Sequence, residues 1–318
     1  MTKIGFLGPL GTFTHQAVLA WVKRQKINGE IVPFRNVPEV YTGITAGQID
    51  YGVVAIESSI EGYVLPSLDG LIAQPNLIAV DQEIVQISFD AFHLSNDSGP
   101  FETISAHPHG LAQCQGFIAE RNFVAVPAES NAAACRDLVA GQVSLGPAVC
   151  GELYGLATLA SSVEDFHGGK TKFLVVTRRD NTALVSERAA SGEYQTLLAL
   201  TPHVTGPGVL SRITRFFADS RINLSSFFSR PIKGASGTYI FVLQLDAAPW
   251  DPACRQVFTQ LLECGDSLKT LGIYPGAGDL AASLSGNGNY DEVAVGSVSA
   301  VSSQQLKNDA LKWQEPTP

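Results

Sequence analysis

The sequence predicts an α/β protein with a two-lobed first part and a smaller second part. Three observations carry this reading. Strand-sized apolar runs alternate with helical periodicity over residues 3–145, the pattern of a mainly parallel sheet covered by helices. A short motif recurs as Ala46-Gly47-Gln48 and Ala140-Gly141-Gln142, each time where a helix hands over to a strand. After residue 193 the periodicities run strand, helix, strand, strand, helix, strand.

In chain order, residues 3–7 read as a buried strand, followed by a glycine-rich turn and a helix over 12–26 with Ala17, Val18, Trp21 and Val22 on its apolar face. Residues 31–34 form the next strand. Asn36-x-x-Glu39 has the form of a capping box and starts a helix carrying Val40, Tyr41 and Ile44. A third strand covers 51–56. The second lobe repeats the scheme with strands at 103–106, 123–126 and 143–145, and helices over 108–121 and 131–139. The polar stretch 181–193 marks the boundary between the two parts.

Beyond it, 194–200 is a strand, and Gly206-Pro207-Gly208 turns into a helix with Val209, Leu210, Ile213, Phe216 and Phe217 along one face. Strands at 222–228 and 238–246 flank a Gly234–Gly237 hairpin, with Tyr239, Phe241, Leu243 and Leu245 alternating to one side. Asp251-Pro252 caps a helix through about residue 263, and 268–274 closes the unit. The order βαββαβ is the ferredoxin-like arrangement. Residues 276–318, rich in Ser, Gly and Ala, read as a tail with a short helix near 304–313.

The 318 residues, 45% hydrophobic and 16% charged, suit two domains with real cores. The 30 acidic against 21 basic residues give a net charge of −9, which excludes a broad basic field for nucleic acid. No apolar run approaches the roughly 20 residues of a membrane span. The N-terminal residues carry no apolar signal segment, so the expected location is the cytoplasm. Five scattered cysteines fit neither a disulfide framework nor a zinc site and read as small core residues. Ligands of open α/β sheets lie beyond the carboxyl ends of strands, so residues 8–14, 57–64 and 107–114 are expected to face one crevice. His107 and His109 invite a metal reading, but with no carboxylate near them in sequence they are assigned a packing or loop role.

The motifs in those segments are Gly8-Pro9-Leu10-Gly11-Thr12-Phe13-Thr14, Glu57-Ser58-Ser59-Ile60-Glu61-Gly62-Tyr63-Val64, His107-Pro108-His109-Gly110-Leu111-Ala112-Gln113-Cys114 and Thr171-Lys172-Phe173-Leu174-Val175. In this order and spacing the chain resembles prephenate dehydratase over about residues 3–274. Gly208-Val209-Leu210, Asn223-Leu224 and Ser229-Arg230-Pro231 resemble the phenylalanine-binding motifs of an ACT regulatory domain. The resemblance implies a periplasmic-binding-protein-like catalytic domain over 1–180, with lobe 1 at about 1–80 and 160–180 and lobe 2 at about 81–159. It further implies an ACT domain over 194–275 that pairs into a homodimer or homotetramer.

Prephenate is a dianion that loses its ring carboxylate as CO2 and its C4 hydroxyl as water, with aromatisation as the driving force. The resemblance gives Thr171, Ser59 and Gln113 the catalytic roles, with Thr171 assisting departure of the hydroxyl. Substrate binding falls to Thr12, Phe13, Ser58, Lys172 and Phe173, and no metal or organic cofactor is expected. L-phenylalanine, the expected feedback inhibitor, is assigned to Gly208, Val209, Leu210, Asn223, Leu224, Ser229, Arg230 and Pro231. The chain departs from the family pattern at Ser58 (usually asparagine), His109 (glutamine), Gly169 (asparagine), Lys172 (arginine) and Phe228 (glutamate). Lysine keeps the charge of arginine but loses its bidentate fork. These departures leave open an arogenate-preferring enzyme or a non-catalytic amino-acid sensor.

Overall fold

The computed structural model describes residues 1–181, 193–232 and 238–276. The expected Gly234–Gly237 hairpin turn, most of the polar boundary stretch and the tail with its short helix lie outside the described residues. The chain divides into two compact units. The first comprises Met1–Leu68 and Glu83–Leu174, and the second comprises residues 69–82 and the described residues from Val175 onward.

In the first unit, β1 (Thr2–Leu7), α1 (Phe13–Gln25), β2 (Gly29–Phe34), α2 (Val37–Thr45) and β3 (Tyr51–Ser58) follow the expected alternation. Local chemistry starts both helices. The Thr12 hydroxyl accepts from His15 N–H at the N-cap of α1, and the Asn36 side-chain Oδ1 does the same for Glu39 N–H at α2. β1 pairs in parallel with β2 on one side and β3 on the other. A second sheet holds β6 (Asp90–Leu94), β7 (Thr103–Ala106), β8 (Val124–Pro127), β9 (Gln142–Gly146) and β10 (Leu156–Ala160), in the order β10-β6-β9-β7-β8.

The internal repeat is visible in this topology. In each sheet the first strand of the repeat lies between the second and the third, as β2-β1-β3 and β8-β7-β9, all parallel. The recurring Ala-Gly-Gln places Gly47 (φ 69°) and Gly141 (φ 78°) in the left-handed region just before β3 and β9, where only glycine turns without strain.

Between β3 and the second sheet the chain forms β4 (Gly62–Tyr63), α3 (Leu65–Ala73) and β5 (Leu77–Gln86), and it returns through β11 (Lys170–Arg178). The helix expected over 108–121 is two helices, α4 (Pro108–Gln113) and α5 (Gln115–Arg121), separated at Cys114. The break has a tertiary cause: the Asp165 carboxylate accepts from Gln115 and Gly116 N–H at 2.9 and 2.8 Å, giving α5 its own cap. The next helix, α6 (Asn131–Arg136), ends earlier than the expected residue 139, and α7 (Val149–Tyr154) follows β9.

The second unit contains β12 (Tyr194–Thr201), α8 (Val209–Asp219), β13 (Leu224–Pro231), β14 (Tyr239–Leu245), α9 (Pro252–Glu263) and β15 (Ser267–Pro275). Their sheet order β13-β14-β12-β15 is antiparallel throughout, the ferredoxin-like βαββαβ arrangement. Its core joins Ile213 and Phe217 of α8 to Val257, Phe258 and Leu261 of α9 over Leu198, Leu200 and Leu243. Two expectations change here. Leu210 leaves the apolar stripe of α8 and stays 45% exposed. β14 is buried on both faces around Val242 and Leu243, where alternation to one side was expected.

Asp251 caps α9 by position, but its carboxylate accepts from Ala248 N–H at 3.1 Å. Gly272 lets β15 approach β5, since a Cβ there would come 2.8 Å from Ala79 Cβ. Four cysteines are buried core residues as expected, whereas Cys264 is exposed at the end of α9.

Candidate active site

Strand order places the site. Where the first strand of a parallel unit lies between the other two, the crossovers leave from opposite sides and a crevice opens at the carboxyl ends. The first unit has two such points. A cavity of about 170 Å³ is lined by Thr12, Phe13 and Thr14 after β1, by His107 after β7, by Ser130, Asn131 and Ala132 after β8, and by Pro147 after β9. The sequence segments 8–14 and 107–114 therefore meet, as expected. Ser130 and Asn131 were not among the expected site residues, although Ser130 carries a readable N-cap signature before α6.

Hydrogen bonds hold these side chains in place. The Asn131 side-chain Oδ1 accepts from His107 N–H at 2.9 Å, and the His107 Nδ1 accepts from His109 N–H at 3.2 Å. Burial, with a smaller contribution from His109, holds the His107 imidazole below its ordinary pKa. This favours the neutral ring that capping requires. Phe13 meets Phe89 edge to face at 5.3 Å between ring centres.

The segment 57–64 carries a second cluster in the same unit. The Ser59 hydroxyl accepts from Lys170 N–H at 2.9 Å, and Ser59 N–H donates to Lys170 O at 2.8 Å, tying the end of β3 to the start of β11. Ser58 Oγ accepts from the N–H groups of Ile60 and Glu61 and shapes the turn. Lys172 Nζ lies 3.0 Å from Glu57 Oε2, a partly buried ion pair. Alternation along β11 turns Thr171 and Phe173 to the other face, where they are 9% and 1% exposed. Gln113 ends α4, and its carbonyl accepts from Asp165 N–H at 2.7 Å.

His107 keeps the expected loop role as the cap of α4, but one premise of that reading changes. Glu61 Oε2 lies 3.1 Å from His109 Nδ1, so a carboxylate 48 positions away in the chain reaches the pair that sequence alone left without one. The contact connects segment 57–64 with segment 107–114. Among the described residues no group of three or more His, Cys, Asp or Glu side chains gathers as a metal ion requires. No helix among them is long and apolar enough to cross a membrane.

His15 is a further contributor that no motif announced. Its Nδ1 accepts from Gly11 N–H at 3.1 Å, and its ring stacks on Phe6. Burial lowers its pKa from the ordinary 6.5. The unfolded chain therefore takes up this proton more readily than the folded one, and the stabilisation is complete above about pH 6.5 and lost as the pH falls through the lower folded value. Thermal unfolding followed from pH 7 to pH 5 is expected to show a steeper fall in Tm for the wild type than for His15→Gln, whose amide still accepts from Gly11.

In the second unit a cavity of about 290 Å³ is lined by Pro202, Thr205, Gly206, Val209, Leu210, Ser229, Tyr239 and Phe241. Of the eight residues expected to hold the effector, Val209, Leu210 and Ser229 line it, and Gly208 (φ 88°) caps α8 beside it. Asn223 hydrogen-bonds Asp246, Leu224 packs against the core, and Pro231 pairs with Tyr239 at the strand end. Arg230 instead donates to the Asp69 carboxylate through Nε at 3.0 Å and through Nη2.

Fold and site together define a two-lobed α/β unit with a polar-lined cavity, crossed twice by the chain, followed by a ferredoxin-like unit with a cavity of its own. The profile of the family described as prephenate dehydratase matches residues 4–181. Prephenate dehydratase of Mycobacterium sp. (strain JLS) is 32% identical over 287 residues, which cover 86% of this chain and 89% of the relative. The crystal structure of prephenate dehydratase in complex with L-Phe from Arthrobacter aurescens superposes with a TM-score of 0.75 at 28% identity, covering 87% of this chain and 91% of that one. A likeness of fold alone links the chain to GqqA, described as a novel type of quorum quenching acylase, with a TM-score of 0.76 at 21% identity over 86% of this chain and 98% of that one.

The chain belongs to the prephenate dehydratase family. Its reaction is the decarboxylative dehydration of prephenate to phenylpyruvate in phenylalanine biosynthesis, a carbon–oxygen lyase reaction.

Proposed function

We propose that prephenate binds at the first unit's cavity with a carboxylate against the start of α1, and that Thr171 hydrogen-bonds the departing C4 hydroxyl. The meeting of Thr12, Phe13 and Thr14 with His107 carries the placement of the substrate, and the role of Thr171, which is not among the residues lining that cavity, rests on the family's motif. The first N–H groups of a helix, together with its dipole, suit a carboxylate. Ser59 and Gln113 complete the catalytic set. Ser58 and Lys172 orient the substrate, Phe13 walls it, and Phe173 backs the same face of β11 as Thr171. No metal or organic cofactor takes part.

The catalytic domain comprises residues 1–180, with lobe 1 at about 1–80 and 160–180 and lobe 2 at about 81–159. Residues 194–275 are an ACT domain and 276–318 a tail. L-phenylalanine is the inhibitor. The apolar walls Val209, Leu210, Tyr239 and Phe241 suit its ring, and Thr205, Ser229 and the start of α8 suit its polar end. Leu210 and Tyr239 remain 45% and 42% exposed beside this cavity, which supports a homodimer or homotetramer formed through this face. The enzyme works in the cytoplasm.

Purified protein incubated with prephenate is expected to form phenylpyruvate, at a rate that falls when phenylalanine is added. Phenylalanine binding without any turnover is the result that an amino-acid sensor would give. Family membership supports turnover.

A further inference from the structure

The glycine loop that enters α1 is held from the other lobe. Tyr154, the last residue of α7, donates its hydroxyl to Leu10 O at 2.6 Å, and Cys150, on the same helix, donates from Sγ to Gly11 O at 3.2 Å. These are consecutive carbonyls. In a planar trans peptide the C=O and N–H point in opposite directions, so fixing the two carbonyls also aims Gly11 N–H and Thr12 N–H. Gly11 N–H goes to His15 Nδ1. Thr12 N–H belongs to the start of α1, where Thr12, Phe13 and Thr14 line the cavity.

The fit between loop and helix leaves little room. Gly11 is left-handed at φ 87°, and a Cβ there would lie 3.1 Å from Cys150 Sγ and 3.2 Å from the Tyr154 ring. Pro147, two residues before α7, itself lines the cavity. The helix that grips the loop is thus continuous with the cavity wall.

We propose that Tyr154 and Cys150 are positioning residues for prephenate: from α7 they fix the Leu10–Gly11–Thr12 peptides, keep Gly11 N–H on His15, and so aim Thr12 N–H at the start of α1, where the substrate carboxylate is received. This rests on the reading that the cavity is the substrate site.

The test uses the full-length protein and steady-state kinetics with prephenate. Tyr154→Phe and Cys150→Ala each remove one donor and are expected to raise KM about five-fold, the worth of one net hydrogen bond, with kcat within two-fold. Cys150→Ser keeps a donor and is expected to restore KM to near the wild-type value, which loss of packing alone would not do. Each variant's Tm is compared with wild type, so that a poorly folded variant is recognised, and Tyr154→Phe, which removes one atom, serves as the variant safest for folding. An unchanged KM in both Tyr154→Phe and Cys150→Ala overturns the inference while leaving the site in place. A wild type active on prephenate whose KM is indifferent to any change at Thr12 or Phe13 overturns the site reading, and this inference falls with it.

Discussion

Thr171→Ala is expected to leave a folded protein whose kcat on prephenate is lower by roughly 10²-fold or more, the range set by losing a positioned proton-handling group. In the reaction the ring carboxylate leaves as CO2, its bonding electrons complete the aromatic ring, and the C4 hydroxyl leaves with one added proton as water. The difficult event is departure of hydroxide from carbon. A threonine hydroxyl is not acidic enough to protonate it in bulk water, so its contribution depends on a hydrogen bond held in a site with little water.

The proposed role asks this of Thr171. This residue is 9% exposed, and the strand start that carries it is fixed by the paired bonds between Ser59 and Lys170. Thr171→Ser keeps the hydroxyl and is expected to recover most of kcat. KM is expected to change little in either variant, because the hydroxyl contributes to the transition state more than to the bound substrate. An unaltered kcat in Thr171→Ala removes Thr171 from the mechanism.

The second large effect concerns inhibition. Arg230→Gln and Asp69→Asn are each expected to raise the phenylalanine concentration for half-inhibition about ten-fold, while phenylalanine binding measured by calorimetry changes less than three-fold. The reason is strand alternation. On β13, Ser229 faces the cavity and Arg230 the opposite side, where its guanidinium forks onto Asp69 of α3. α3 begins at Leu65, directly after the segment that carries Ser58, Ser59 and Glu61.

The prediction supposes that phenylalanine shifts β13 and, through Arg230, bears on Asp69 of α3. Coupling between two ligand sites is typically about 1–3 kcal/mol, and ten-fold corresponds to about 1.4 kcal/mol. If Arg230 instead contacts the effector, as the Ser-Arg-Pro motif implies, Arg230→Gln abolishes phenylalanine binding itself while Asp69→Asn does not. The two measurements separate coupling from contact.

Much of the architecture was legible in the sequence, because its signals act over short distances. Thr12 and Asn36 start their helices through oxygens that reach N–H groups three residues away. The repeated Ala-Gly-Gln marks two left-handed glycines, and with them two copies of the same three-strand topology. The glycine loop and the His107 segment were expected in one crevice because chain order and parallel pairing dictate which strand ends lie together.

Residues that meet across the chain leave no such trace. Asp165 splits the helix expected over 108–121 from 50 positions away, Glu61 reaches His109, Tyr154 grips Leu10 from 144 positions away, and Arg230 reaches Asp69 across 161 positions. Each contact depends on where two separately formed elements come to rest. By itself the sequence determined the elements, their alternation, the repeat and the motifs that name the chemistry. Only the tertiary structure decided which donors hold the glycine loop and which carboxylate Arg230 meets, because hydrogen bonds and ion pairs between distant elements are set by packing geometry and not by local periodicity.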